Sequence, residues 1–386
     1  MKLKNIFINL SLTFSAIYIP LILLSGFYIF SNKLIDKKWI RRESFQKVEA
    51  VNSGYLPTFN PSIVSLSTNQ IPFYPIGTLP NTRTYLCNEG YGLIKYKTDR
   101  FGLRNSDSNW DNIYKQSNIF VIGDSFVLGE CVPENATISS NIKKLTNYNT
   151  LNLGMGGNSP YEYRAILKSI IQPIIKNSSK KNIVIIVFYI NDHIQDIIEK
   201  EKLLESTISI IESSNGEDVI PKENYTRNII DFIKNNYPQS KKEIISKINQ
   251  SSKKSFKDSS FYRIISLYPI RTRFGLINLT GTGSLNQKYD KTSSRKSIAL
   301  LSEICKSSCT PIVAYIPNSS FWYPKRFVKE YKKELKQLSV LNGIEFIDGE
   351  DAIDKNNLDN YAPKGPHLSI VGYEKMADLI ISKIKK

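Results

Sequence analysis

The clearest signal in the chain is an alternation that begins near Asn118. Short apolar runs, Ile119–Ile122, Thr150–Leu153, Ile183–Tyr189, Pro311–Ile316 and Glu345–Ile347, are separated by stretches with helical spacing. That pattern predicts strands of a parallel sheet joined by crossover helices. The run from Ile183 to Ile190 is apolar at every position, as a central strand covered on both faces requires. Ser159-Pro160-Tyr161-Glu162 is a capping box with Pro at the first helical position. It predicts a helix to about Gln172, ended or kinked at Pro173. Ser369 is placed to cap a last helix whose Tyr373, Met376, Ala377, Ile380 and Ile384 share one face.

Other parts of the chain read differently. Ile6–Phe30 holds no charged residue over 25 positions, enough for a helix to cross a bilayer. With no small-residue cleavage site, an uncleaved anchor over residues 1–32 is expected. Residues 33–116 read as a linker and short, irregular β structure punctuated by Pro57, Pro61, Pro72, Pro75 and Pro80. Within it, Asp99-Arg100-Phe101-Gly102 reads as a hairpin turn. Residues 117–386 form the α/β unit, interrupted at about 194–296 by a segment with helical patches and no obvious strand. That length exceeds a simple crossover and predicts a helical insertion or lid.

Composition narrows the function classes. The net charge is +17, with Lys scattered rather than striped. No zinc-finger or RNA-binding pattern accompanies it, so nucleic acid is not an expected partner. Only two histidines and four cysteines occur, with no C-x-x-C, which argues against a structural metal site. No cofactor is expected. The cysteines fit either two disulfides in an oxidising compartment, Cys305 with Cys309 and Cys87 with Cys131, or four free thiols.

Chemistry concentrates at the ends of the apolar runs. The first run leads into Gly123-Asp124-Ser125. A serine at the carboxyl end of a parallel strand lies where open α/β sheets hold ligands. A helix opening there aims N–H groups at a developing oxyanion. The second run ends in Asn152-Leu153-Gly154-Met155-Gly156-Gly157, and the third in Asn191-Asp192. An Asn side chain at a strand end can donate to an oxyanion. A serine nucleophile needs a base, and only His193 and His367 are available. His193 follows Asn191-Asp192 and points into the next helix. His367 precedes the last helix, at the same sheet edge as Ser125.

Taken in order, G-D-S, N-x-G-x-x-G, N-D and a final His resemble the SGNH, or GDSL-type, hydrolase family over roughly Asn118–Lys386. Residues Lys97–Asn105 are similar to a segment that often precedes the domain in bacterial members. The resemblance implies a flavodoxin-like three-layer fold. It implies Ser125 as nucleophile and His367 as base. The oxyanion hole would come from Ser125, Gly157 and Asn191, with Asp124 in support. It further implies a serine esterase or O-acyltransferase working through an acyl-serine. The ester substrate would be a cell-envelope glycan or lipid, the N-terminal helix would meet the membrane, and the catalytic domain would face the periplasm. Flanking charges, Lys2 and Lys4 before the span against Lys33, Lys37, Lys38, Arg41 and Arg42 after it, argue for the opposite orientation. The runners-up are a general carboxylesterase or thioesterase and a catalytically inactive glycan-binding or assembly module.

Two positions depart from the family pattern. Tyr189 stands where a Gly is common, which predicts a narrowed acyl pocket. Lys364 stands three residues before His367, where an Asp is usual. Asp351, Asp354 and Asp359 are the acids on the same connection. A backbone carbonyl near Lys364 is the expected acceptor for His367 Nδ1–H, making the pair a Ser–His dyad.

Overall fold

A computed structural model describes residues 2–31, 37–60, 75–193, 198–205, 207–214, 218–265, 267, 291–306, 308–319 and 325–385. Chain order gives β1 (Leu56–Pro57), β2 (Arg83–Tyr85), β3 (Lys95–Lys97), β4 (Asn118–Gly123), β5 (Asn149–Gly154) and β6 (Asn182–Phe188). These are followed by β7 (Ile211–Ser214), β8 (Asp218–Pro221), β9 (Thr310–Tyr315) and β10 (Glu345–Asp348). The five apolar runs are the strands of one sheet in the order β10-β9-β6-β4-β5, and every pairing in it is parallel. Each residue of β4, β5 and β6 is buried, the mark of strands covered on both faces.

Helix placement follows from connection handedness. Strand β4 joins β5 through the helix Ile138–Leu145, which packs on the C-terminal helix Ile370–Ile384. From β5 onward the chain steps across the sheet the other way. A right-handed crossover then puts helices Pro160–Ile166, Thr292–Cys305 and Lys325–Leu341 on the opposite face. The result is three layers in flavodoxin-like order. The order reverses between β4 and β6, and the crevice at their carboxyl ends is where such sheets hold ligands.

Local sequence accounts for the helix ends. Glu162 accepts from the Ser159 amide at 2.7 Å, closing the expected capping box. Pro173 does not end the helix: a π-helical turn, Leu167–Ile171, precedes it and the chain continues helically through Gln172–Asn177. The wider turn accommodates the missing amide proton. Ser369 Oγ accepts from Gly372 N at 3.0 Å and caps the last helix.

The N-terminal part and the insertion each depart from their reading in one way. The hairpin is β2–β3, antiparallel, and its connection runs from Leu86 to Ile94. Asp99 lies beyond it and organises its own turn. Its Oδ1 accepts from the amides of Phe101 and Leu103, each at 2.8 Å. Its Oδ2 accepts from Trp110 Nε1 at 2.8 Å and Asn105 Nδ2 at 2.9 Å. Despite four donors, burial pushes the Asp99 carboxyl up to about 6. The insertion also contains a strand pair, β7–β8, which is antiparallel, besides the helices Glu223–Asn236 and Lys241–Ile265. Pro61, Pro72 and residues 268–290 of the expected insertion lie outside the described residues.

Residues Lys2–Ser31 form one helix, α1, followed by α2, Lys37–Asn52. Among the described residues no helix is long and apolar enough to cross a membrane, so the expected spanning segment has no support from that measure. Side chains of α1 are described from Leu12 to Phe27. Within that stretch Phe14, Leu23 and Phe27 are 66%, 67% and 71% exposed.

Candidate active site

Ser125 opens a short helix, Ser125–Leu128, directly after β4. Asp124 caps it, accepting from Phe126 N at 2.9 Å. Asn191 follows β6 and donates its Nδ2 to Asp124 Oδ2 at 3.2 Å. Asp124 therefore fixes both the helix start and the Asn191 amide. Burial raises its carboxyl above the usual range, while the Phe126 and Asn191 hydrogen bonds and the His367 charge oppose the rise. Gly157 has φ of 79°, a left-handed conformation that costs glycine nothing. Gly157, which follows β5, and Asn191 are both exposed.

The second histidine of the sequence closes on this point. His367 Nε2 lies 2.9 Å from Ser125 Oγ. His193 does not approach it: its Nδ1 contacts the Ile190 carbonyl, and its ring meets Tyr331 edge-on at 6.0 Å. Phe126 packs against the His367 ring at 4.9 Å and against Tyr189 at 4.1 Å. Tyr189 is thus buried behind Phe126, 3% exposed, and supports the imidazole's apolar wall.

The acceptor for His367 Nδ1 is a carboxylate, not a carbonyl. Glu89 Oε1 lies 2.8 Å from Nδ1, and Glu89 Oε2 accepts from the His367 amide at 3.3 Å. The reading of a dyad completed by a carbonyl near Lys364 is therefore corrected. Lys364 instead donates its amide to the Glu89 carbonyl at 3.0 Å, and its Nζ sits 5.6 Å over the Trp39 ring. Asp351, Asp354 and Asp359 are exposed. Gly365 explains the fit: a Cβ there would stand 1.8 Å from Glu89 Cδ, so only glycine lets the carboxylate lie under the histidine loop.

Glu89 sits in the β2–β3 connection, two residues after Cys87, and Cys87 is disulfide-bonded to Cys131. That bond ties the loop bearing the carboxylate to the loop that follows Ser125. The second disulfide joins Cys305 and Cys309. Nothing in the local pattern around Glu89 marks it as a partner of a residue 278 positions away. The one available signal was the Cys87–Cys131 pairing, which brings its neighbour to the loop after Ser125.

Burial of His367 disfavours its charge. The Glu89 hydrogen bond and the charges of Glu89, Glu130 and Asp124 outweigh that and raise it above the ordinary imidazole range. Glu130 Oε2 is 3.7 Å from Nε2. Burial pushes the Glu130 carboxyl up, and the His367 charge pulls it back. Glu89, Cys131 and His367 cluster closely enough to suggest metal ligands. Cys131 is consumed by the disulfide and Glu89 by the imidazole, so the donor set does not fit one.

Fold and site together define an α/β protein with a hydroxyl–imidazole–carboxylate line at the switch point of its sheet. No protein-family description matches the chain, and no curated protein sequence matches it. Among solved structures it is similar to a lipolytic protein of the G-D-S-L family from Desulfitobacterium hafniense, at 12% identity and TM-score 0.34, covering 68% of this chain and 97% of that one. Est24, a carbohydrate acetylesterase from Sinorhizobium meliloti, is similar at 11% identity and TM-score 0.36, covering 70% and 99%. An aryl esterase of M. smegmatis is similar at 10% identity and TM-score 0.33, covering 70% and 98%.

Proposed function

We propose that the chain is a serine esterase acting through an acyl-serine, with Ser125 as nucleophile, His367 as base and Glu89 as the acid that orients it. The observation that carries this reading is the unbroken line from Ser125 Oγ to His367 Nε2 at 2.9 Å and from His367 Nδ1 to Glu89 at 2.8 Å. Nucleophile and base in hydrogen-bond reach, with the base held by a third group, is the general logic of an activated serine.

The steps follow from these positions. Ser125 Oγ attacks the ester carbonyl carbon as its proton passes to His367 Nε2. Negative charge builds on the carbonyl oxygen, where the backbone amides of Ser125 and Gly157 and the Asn191 Nδ2 are the proposed donors. Each such donor contributes about 10²–10³ in turnover. Glu89 holds the imidazole tautomer and stabilises the imidazolium. Collapse breaks the bond to the leaving oxygen, which takes the Nε2 proton, and leaves an acyl-serine. Water, or an acceptor hydroxyl if the enzyme transfers its acyl group, then repeats the sequence in reverse.

The envelope setting belongs to the same proposal. Two disulfides favour an oxidising compartment. The exposed apolar side chains of α1 favour an apolar phase around it, with the ester carried on an envelope glycan or lipid. Labelling with a fluorophosphonate probe tests the central reading without naming a substrate. The wild type labels and Ser125→Ala does not; a wild type that does not label refutes it.

A further inference from the structure

We propose that Glu130 reads the alcohol side of the ester, accepting a hydrogen bond from a second hydroxyl next to the ester oxygen and so selecting esters of vicinal diols. This rests on the esterase reading and deepens it. In that reading Nε2 is the atom that hands a proton to the leaving oxygen. The leaving oxygen must therefore come within about 2.6–3.2 Å of it. Glu130 Oε2 stands 3.7 Å from the same nitrogen, so a hydroxyl on the carbon adjacent to that oxygen falls in its reach. Glu89 holds the other ring nitrogen, and none of the catalytic steps uses Glu130.

The frame around Glu130 is built to hold it there. Its amide donates to the Ser125 carbonyl at 2.9 Å, fixing it relative to the nucleophile. Arg104, buried at 3% exposure, donates from its guanidinium to the carbonyls of Leu128, Gly129 and Val132 at 3.2, 2.8 and 3.0 Å. Cys131, the next residue, has φ of 64°, a conformation disfavoured for a side chain and held on the far side by its bond to Cys87. A loop fastened at five points presents a partly exposed carboxylate to the space beside Nε2. A fixed carboxylate suits a neutral hydroxyl donor. It is unfavourable for an anionic leaving group and wasted on an apolar one.

The test compares ester classes in the full-length protein. The ratio of kcat/KM for an acetylated methyl glucoside to that for p-nitrophenyl acetate is measured in wild type, Glu130→Leu, Glu130→Gln and Glu130→Asp. Loss of a charge-assisted hydrogen bond lowers the ratio about 10- to 100-fold in Glu130→Leu, with Glu130→Gln between and Glu130→Asp recovering part of it. Glycerol monoacetate, an open-chain vicinal diol ester, follows the glucoside if the diol is what is read; behaviour like p-nitrophenyl acetate overturns the diol as the recognised feature. An unchanged glucoside ratio overturns the proposal, whether both rates fall together or neither does. If Glu130→Leu does not fold, judged by its circular dichroism, Glu130→Gln carries the same comparison. A wild type that turns over neither ester and takes no fluorophosphonate label instead overturns the esterase reading, and this inference with it.

Discussion

Glu89 reaches His367 across 278 positions of sequence, and its carboxylate holds both the Nδ1 and the backbone amide of that residue. The histidine is thus oriented from outside the sheet unit that carries it. If the proposed roles hold, Glu89→Gln lowers kcat by about 10³–10⁴, the scale seen when a triad acid becomes an amide. Gly365→Ala, whose Cβ displaces the carboxylate, lowers it in the same direction, and Lys364→Asp restores little in either background. Steady-state kinetics of the four proteins checks this. An intact rate in Glu89→Gln removes Glu89 from the mechanism.

The same carboxylate sets a pH limb. In the proposed role of general base His367 works neutral, so the rate falls as pH drops through its pKa. That pKa is raised above the ordinary imidazole range: the Glu89 hydrogen bond and the surrounding carboxylates outweigh burial. The acid limb of kcat/KM therefore lies at higher pH than an unperturbed imidazole gives, and Glu89→Gln moves it down. A limb that does not move with Glu89 assigns the titration to another group.

The two histidines separate cleanly. His367→Ala is as damaging as Ser125→Ala, on the order of 10⁶-fold where the nucleophile and base act as one unit. His193→Ala removes a contact to the Ile190 carbonyl and Tyr331 and leaves turnover within a few-fold. Turnover of p-nitrophenyl acetate by the three variants measures both.

The disulfides differ in what they hold. The Cys87–Cys131 bond closes a sequence separation of 44 and the Cys305–Cys309 bond one of 4. Loop-closure entropy alone gives them about 4 and about 2 kcal/mol. Removing Cys87 and Cys131 together lowers both the Tm and kcat, because the Glu89 loop is freed from the loop after Ser125. Removing Cys305 and Cys309 lowers the Tm only. Equal kinetic effects would show that the first bond does not position Glu89.

Asp99 gives a stability signature. Burial raises its pKa from 3.8 to about 6, so the folded state holds the proton more tightly than the unfolded chain. Its contribution is full below about pH 4 and is lost as pH rises through about 6, a change of about 3 kcal/mol. In Asp99→Asn this limb is absent. The variant is also less stable at pH 4, since its amide faces the donors Trp110 and Asn105. Urea denaturation across pH 4–7 follows both effects.

What was legible in the sequence was what local pattern encodes. The central strands β4 and β6 are dominated by apolar residues and buried at every position, so composition marks them, and the outer strands β9 and β10 keep enough apolar, buried positions to follow the same alternation. Ser125, Asn191 and His367 sit at the ends of such runs or before a capped helix, and topology brings them to one edge. The β7–β8 hairpin escaped notice because Ile211–Ser214 and Asp218–Pro221 are four residues each and half polar. At Pro173 the sequence allows either an end or a kink, and the π turn Leu167–Ile171 that carries the helix past it has no sequence signature of its own. Glu89 escaped because its role depends on long-range closure by a three-residue strand pair and a disulfide, neither of which leaves a periodic trace.

The Arg104 guanidinium, clasped on three carbonyls of the loop after Ser125, has a consequence for how the molecule can be divided. A chain begun at Asn118 keeps the five-stranded sheet, Ser125 and His367, yet loses Glu89, the Arg104 clasp under the loop after Ser125 and one half of a disulfide. Such a fragment would inherit the scaffold of the site without the groups that hold it. The segment between α1 and the sheet is better regarded as a second hand on the same tool, and any shuffling of this sheet onto another N-terminus has to bring that hand along.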